Sequence, residues 1–230
     1  SSSTVSASPQ AQMIAPGKKI VSLDFDRKSD VSKQWFSFRK ETAYRVEDGA
    51  LHVIPPAIAN TGKDKTSQWG DSDFARAGLV GLPKDYVCEF RWKCNEPTDS
   101  KLQEKGLIYI DLGHRTIRVT MSKSGTTLLL ENHLMGRKAK ISSKVLDTGS
   151  ELKLEYDKWY DTVAEVKGNE VLIQIGEHLF YGKDDLISGD RYDTFNLDAN
   201  GAGFQIDRIE VRATGDYRKD WNAKRGPLER

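Results

Sequence analysis

Tyr44-Arg45-Val46-Glu47-Asp48-Gly49-Ala50-Leu51-His52-Val53 reads as two short alternating runs folded about an Asp-Gly pair. Tyr44 and Val46 share one parity before the pair, and Leu51 and Val53 share one parity after it. Successive side chains of a strand point to opposite faces, so each run offers one apolar side. Asp and Gly both accept positive φ, which a two-residue hairpin turn needs at both central positions. The stretch is predicted to be a β-hairpin.

The same period recurs outward in both directions. Val21, Leu23 and Phe25 alternate with Ser22 and Asp24; Tyr86, Cys88, Phe90 and Trp92 line one face of another run. Ile117, Val119 and Met121 precede a turn at Ser124-Gly125, and Leu128 to Leu130 follow it. Leu152, Leu154 and Tyr156 alternate with Glu151, Lys153 and Glu155. Thr162, Ala164 and Val166 approach a Gly168-Asn169 turn, and Val171, Ile173 and Ile175 leave it. Phe204 and Ile206 share one parity while Ile209 and Val211 share the other, which predicts a bulge at Asp207-Arg208. Roughly a dozen short strands without helical periodicity imply an all-β, antiparallel, two-sheet sandwich. Residues 1–18 are read as a flexible lead-in, 19–214 as the sandwich, and 215–230 as a polar tail in which Trp221 is the residue able to dock.

Composition narrows the function classes. Of the 230 residues, 35 are basic and 34 acidic, for a net charge of +1, and the Lys and Arg are spread along the chain. That balance gives no electrostatic footprint for nucleic acid. No apolar run approaches the roughly 18 residues of a membrane helix. The Ser-, Ala- and Gln-rich start, Ser1 to Ala15, reads as an end left by removal of an export signal or by an artificial cut, with the ordinary terminus of a cytosolic chain as the alternative. An extracellular or periplasmic setting is the expectation. Cys88 and Cys94 lie six residues apart in one run, a separation of roughly 20 Å along a strand. A disulfide needs Cα atoms within about 7 Å, so two buried free thiols are expected.

Three segments resemble a known family. Trp35 together with Tyr44 to Val53 resembles the opening strands of the concanavalin A-like lectin/glucanase superfamily, and within it the 3-keto-disaccharide hydrolase domains. Trp159-Tyr160-Asp161 through Val171 is similar to that group's paired strands around a Gly-Asn turn, and Gly203 to Val211 to its final strand. The resemblance covers about Ile20 to Arg212. It implies a jelly roll with a concave, glycan-facing sheet, bacterial secretion, and a glycoside-hydrolase-like activity on a glycan or a modified (3-keto) disaccharide. Fold alone does not fix that activity.

Laminarinase-like members of the superfamily carry E-x-D-x-(x)-E on one strand, where alternate residues bring two carboxylates to one face, about 5 Å apart across the scissile bond. This chain has only Glu155-Tyr156-Asp157, with no second Glu following, so a retaining glucanase of the usual kind is not expected. A looser polar face remains. Glu89 and Asp111 are the candidate acid and base, and Arg76, Arg91, Tyr109, Glu131, His114, Arg115, His133 and Trp69 the candidate substrate-binding groups. Carboxylates and Arg hydrogen-bond vicinal hydroxyls, and aromatic rings stack on the apolar face of a pyranose. Each has a plainer reading: Glu89-Arg91 as a solvated pair, Asp111 as a turn residue before Gly113, the histidines as surface groups, and Trp69 as a cover over a sheet edge. No cofactor is expected. A structural calcium is compatible with carbonyl-rich loops, although no ligand spacing calls for one. The expected partner is a carbohydrate. The function alternatives are a hydrolase, a non-catalytic carbohydrate-binding module, and a cell-surface interaction domain.

Overall fold

The computed structural model describes residues 8–27, 31, 43–55, 74–98, 100–104, 106–113, 116–132, 142–189 and 194–229. Its strands form two antiparallel sheets packed face to face. The larger sheet is ordered β12 (His178–Lys183), β11 (Glu170–Ile175), β10 (Tyr160–Lys167), β5 (Tyr86–Cys94), β14 (Phe204–Tyr217), β3 (Ala50–Ile54), β2 (Ala43–Glu47), and β1 (Ile14–Leu23) pairs with the far end of β14. The smaller sheet is ordered β4 (Ala75–Val80), β13 (Thr194–Ala199), β6 (Leu107–Leu112), β7 (Ile117–Ser122), β8 (Gly125–Asn132), β9 (Ser142–Gly149). Two short helices, α1 (Ser100–Gln103) and α2 (Trp221–Arg225), lie outside the sheets.

The alternation in the sequence becomes the core. Cys88, Phe90 and Trp92 of β5 face Ile108, Ile110 and Leu112 of β6 and Phe195 and Leu197 of β13 across the gap, all essentially without solvent contact. Trp92 stacks on Tyr160 at 4.7 Å between centroids, and its Nε1 donates to Thr162 Oγ1 at 3.0 Å. The hairpin of β2 and β3 turns on Asp48 (φ 51°) and Gly49 (φ 70°), the two positive values its turn type demands. The ladder between β14 and β5 shifts register between Ile206 and Arg208, which places the bulge at Asp207. Cys88 and Cys94 are buried free thiols, and burial pushes both well above the ordinary thiol range.

Three segments depart from the sequence reading. Leu152 to Tyr156 joins neither ladder. It carries the chain from β9 in one sheet to β10 in the other, so its backbone bonds go sideways: the Leu154 N–H donates to the Ser122 carbonyl at 2.8 Å, and Thr126 Oγ1 donates to the Leu152 carbonyl at 2.7 Å. Its Leu152 and Leu154 still reach the core, which explains the alternation.

The lead-in is structured from Ala11 onward. Met13 and Ile14 are fully buried against Val87, Val163, Leu172 and Trp221, in a second apolar cluster on the outer face of the larger sheet. That cluster forms where Val87, Val163 and Leu172 point outward from β5, β10 and β11, as apolar residues do on strands covered on both faces. A single carboxylate clasps this strap. Glu165 accepts from the backbone N–H groups of Gln12 (2.8 Å), Met13 (2.9 Å) and Ile14 (2.8 Å).

The tail is ordered as well, since β14 runs to Tyr217 and α2 packs Trp221 into the same cluster. Glu170 collects this end of the chain, accepting from Tyr181 Oη at 2.7 Å and, at longer range, from Trp221 Nε1 and Arg225 Nη1.

Candidate functional site

The smaller sheet buries Ile108, Ile110 and Leu112 on its inner side, so the intervening Tyr109 and Asp111 point out. Register then fixes their neighbours. Across the strands, Tyr109 pairs with Asp198 on β13 and Thr120 on β7, and Asp198 pairs with Arg76 on β4. One step along, Asp111 pairs with Asn196 and Arg118, Asn196 with Gly78, and Arg118 with Leu129 on β8. Glu131 follows two residues after Leu129 on the same side.

The face is an array of ion pairs. Arg76 grips Asp198 with two parallel bonds, Nε to Oδ1 at 2.6 Å and Nη2 to Oδ2 at 2.7 Å. Arg118 grips Asp111 the same way at 2.6 and 3.0 Å, and its Nη1 reaches Glu131 Oε1 at 3.3 Å. Such fork-to-fork pairs are among the stronger hydrogen-bonded arrangements in proteins. The Asp111 and Asp198 side chains are only 1% and 4% exposed, and Glu131 is 13% exposed. Burial pushes the Asp111 carboxyl above its ordinary range, against the bonds and charge of Arg118. Hydrogen bonding to the buried carboxylates raises the guanidinium pKa of Arg76 and Arg118 further despite desolvation, so both stay charged. Tyr109 supplies the aromatic surface. Its ring stacks on Phe74 at 5.8 Å and carries the Arg118 guanidinium 4.2 Å from its centre.

Of the residues singled out from sequence, Arg76, Tyr109, Asp111 and Glu131 come together here. Glu89 and Arg91 do not. They project from the opposite side of the sandwich, the outer face of the larger sheet, because β5 contributes its even-numbered Cys88, Phe90 and Trp92 to the core. There Arg91 donates to Asp207 at 2.9 Å and lies over Trp159 at 5.0 Å. A cleft of about 450 Å³ adjoins them, lined in part by Asp24, Asp161 and Arg208. Glu89 therefore cannot act with Asp111 on one substrate. His114, Arg115, His133 and Trp69 lie outside the described residues. Sequence reasoning missed Arg118, Asn196 and Asp198. Their signal was present, since each alternates with large apolar residues (Ile117-Arg118-Val119 and Phe195-Asn196-Leu197-Asp198), the same pattern that exposed Tyr109 and Asp111. Among the described residues, no three His, Cys, Asp or Glu side chains gather closely enough to hold a metal ion.

No family model and no curated protein sequence matches the chain. Solved structures do match its fold. It is similar to a LamA variant from Zobellia galactanivorans in complex with laminaritriose and laminaritetraose (12% identity, 86% of this chain and 100% of that one, TM-score 0.57). It is also similar to the CBM2 module of the evolved Dit of Lactobacillus casei BL23 phage J-1 (8% identity, 90% and 100%, TM-score 0.55). A third match is a Bacillus licheniformis β-glucanase (6% identity, 86% and 99%, TM-score 0.53). The class defined by the fold is the concanavalin-like jelly-roll sandwich, an architecture found in both binding modules and glycoside hydrolases.

Proposed function

We propose that this domain binds carbohydrate on the outer face of the smaller sheet, as a non-catalytic module. The observation that carries the reading is how the carboxylates of that face are held. Asp111 and Asp198 are buried and gripped on both oxygens by arginines, so neither can offer or take a proton at a glycosidic oxygen without breaking its pair. The arginines and Tyr109 retain what binding needs: N–H donors for hydroxyls and an aromatic ring beside them. Hydrolysis is the second reading. Glu131 supports it, because it is the most exposed of the three carboxylates and is not gripped by an arginine on both oxygens in the way that Asp111 and Asp198 are. The likeness in fold to polysaccharide-related neighbours supports an extracytoplasmic setting.

The test is a glycan array followed by hydrolysis assays on every glycan retained, with 3-keto disaccharides included. Retention without turnover, lost in Tyr109→Ala, is the expected result. Turnover abolished by Glu131→Gln would replace this reading with the hydrolase. Retention unaffected by Tyr109→Ala would remove the site from this face.

A further inference from the structure

β14 pairs with β3 over Phe204 to Ile206 and with β1 from Ile209 onward, so on this edge neither ladder reaches Asp207 or Arg208. The register shift against β5 falls at the same place. A bulge re-aims side chains, and here Asp207 and Arg208 both line the cleft of about 450 Å³ on the outer face of the larger sheet. Asp24, just past the end of β1, and Gly49, in the turn before β3, line it too. The volume lies within the ~300–1,000 Å³ usual for small-ligand sites. We infer that this cleft is a second sugar-binding site, which takes a hydroxyl-rich ligand of one or two rings independently of the smaller sheet.

Two unsatisfied atoms carry the chemistry. Arg91 Nη1 donates to Asp207 Oδ2 at 2.9 Å, and Trp159 holds the guanidinium 5.0 Å from its ring centre. In that pair Asp207 Oδ1 and Arg91 Nε are buried and have no hydrogen-bond partner. Buried polar groups are nearly always satisfied, so an orphaned acceptor and an orphaned donor on two residues lining one cleft call for an outside group. Burial pushes the Asp207 carboxyl above its ordinary range despite Arg91 and Arg208, as befits a carboxylate short of donors. A carboxylate only accepts and a guanidinium only donates, whereas a hydroxyl does both. Vicinal hydroxyls of one ring can therefore serve both atoms, which a carbonyl or an ammonium cannot. The Arg91 side chain is 41% exposed, which leaves room for the small shift that an entering oxygen requires. The alternation of acid and base continues beside the pair. Asp161 on β10 stands opposite Arg91 on β5, and Arg91 opposite Arg208 on β14. Arg208 Nη2 reaches Asp161 Oδ1 only at 3.4 Å, with both side chains partly exposed. Neighbouring strands lie ~4.8 Å apart, so one or two sugar rings span all three. A divalent cation is the other ligand that aspartates suggest, but among the described residues no three carboxylates converge closely enough to hold one.

The experiment is an NMR titration of the isotopically labelled full chain with cellohexaose, laminarihexaose, mannohexaose and maltohexaose. The Arg91 Nε–H signal and the Asp207 and Arg208 amides read the cleft, and the Tyr109 amide reads the smaller sheet. At least one oligosaccharide is expected to move the cleft signals saturably, and equally in the parent and in Tyr109→Ala. Asp161→Asn and Asp207→Asn are each expected to weaken that binding at least about tenfold, the effect of losing a hydrogen bond to a charged group. Should Asp207→Asn lower the unfolding midpoint, Asp161→Asn, whose side chain is the more exposed, decides the matter. Cleft signals that no oligosaccharide moves overturn the inference and leave the smaller-sheet reading to stand or fall on the Tyr109 amide. Shifts that vanish in Tyr109→Ala, or that survive Asp161→Asn at full affinity, overturn it as well. So does saturation of the cleft by calcium chloride alone with no response to any oligosaccharide.

Discussion

Replacing Glu165 with Ala is expected to release the N-terminal strap, and the magnitudes indicate why. Met13 and Ile14 are fully buried on the outer face of the larger sheet. Full burial of each contributes ~1.5–3 kcal/mol, while ordering the four residues Ala11 to Ile14 costs ~1–2 kcal/mol each in backbone freedom. Burial and entropy therefore roughly cancel. The surplus that holds the strap down is the set of hydrogen bonds from three consecutive N–H groups to one buried carboxylate. Bonds to a charged group contribute ~1.5–3 kcal/mol each. Desolvation of the buried carboxyl, which pushes Glu165 above its ordinary range, offsets part of that sum, so Glu165→Ala should cost about 3–5 kcal/mol in urea unfolding, with hydrogen exchange at Gln12 to Ile14 rising to that of an open segment. A double-mutant cycle tests the mechanism. Met13→Ala alone should cost ~2–5 kcal/mol, but within ~0.5 kcal/mol of nothing in the Glu165→Ala background, where the strap is already detached. Additive costs would refute the reasoning, because they would mean that the strap stays docked without its clasp.

Three further outcomes are expected. Burial pushes the Glu170 carboxyl up, but hydrogen bonds from Tyr181, Tyr217 and Arg225 outweigh it and hold the group below its ordinary value. Because the folded value lies below the unfolded one, this stabilisation is present above about pH 4.5 and is lost as pH falls through the folded value. The fall in unfolding free energy on acidification should thus be shallower in Glu170→Gln than in the parent. Gly78→Ala should cost about 2–3 kcal/mol in thermal unfolding, since the added methyl would collide with the Asn196 amide oxygen and the Phe195 carbonyl across the strand pair; a cost under ~0.5 kcal/mol would mean that Asn196 is free to move aside. Cys88 and Cys94 should resist an aqueous thiol reagent in the native protein and react only on unfolding, because both are buried and their pKa values are raised. Rapid native labelling would contradict that burial.

The features legible in the sequence were those encoded within a few residues of themselves. Asp48-Gly49 announces its turn through backbone conformation alone, and the parity change after Ile206 announces the bulge. Tyr109 and Asp111 declare a common face because period 2 is a local rule. Partnership across strands was not legible. Glu89 and Asp111 each sit opposite an apolar side of their strand, yet nothing in either run says that β5 and β6 belong to different sheets, so two faces were read as one. The Arg118 pairs with Asp111 and Glu131 join neighbouring strands across a hairpin, whereas the Arg76 pair with Asp198 spans 122 residues. The strap was missed for a related reason. Val171-Leu172-Ile173 is apolar at every position, so its period cannot reveal that one side awaits a cover supplied 160 residues earlier.

The fourteen residues of β14 have a kinetic consequence. This strand lies between β5 on one side and β3 and β1 on the other, and β1 pairs with it from Ile14↔Tyr217 to Leu23↔Ile209 through three register shifts. Among the described strands, the first strand of the larger sheet therefore has no partner until almost the whole chain has been made. Such high contact order slows folding and leaves unpaired strand edges open to other chains in the interval. A ribosome-bound chain stalled before Phe204 should consequently remain sensitive to protease along β1, and protection should arrive in a single late step with the emergence of β14.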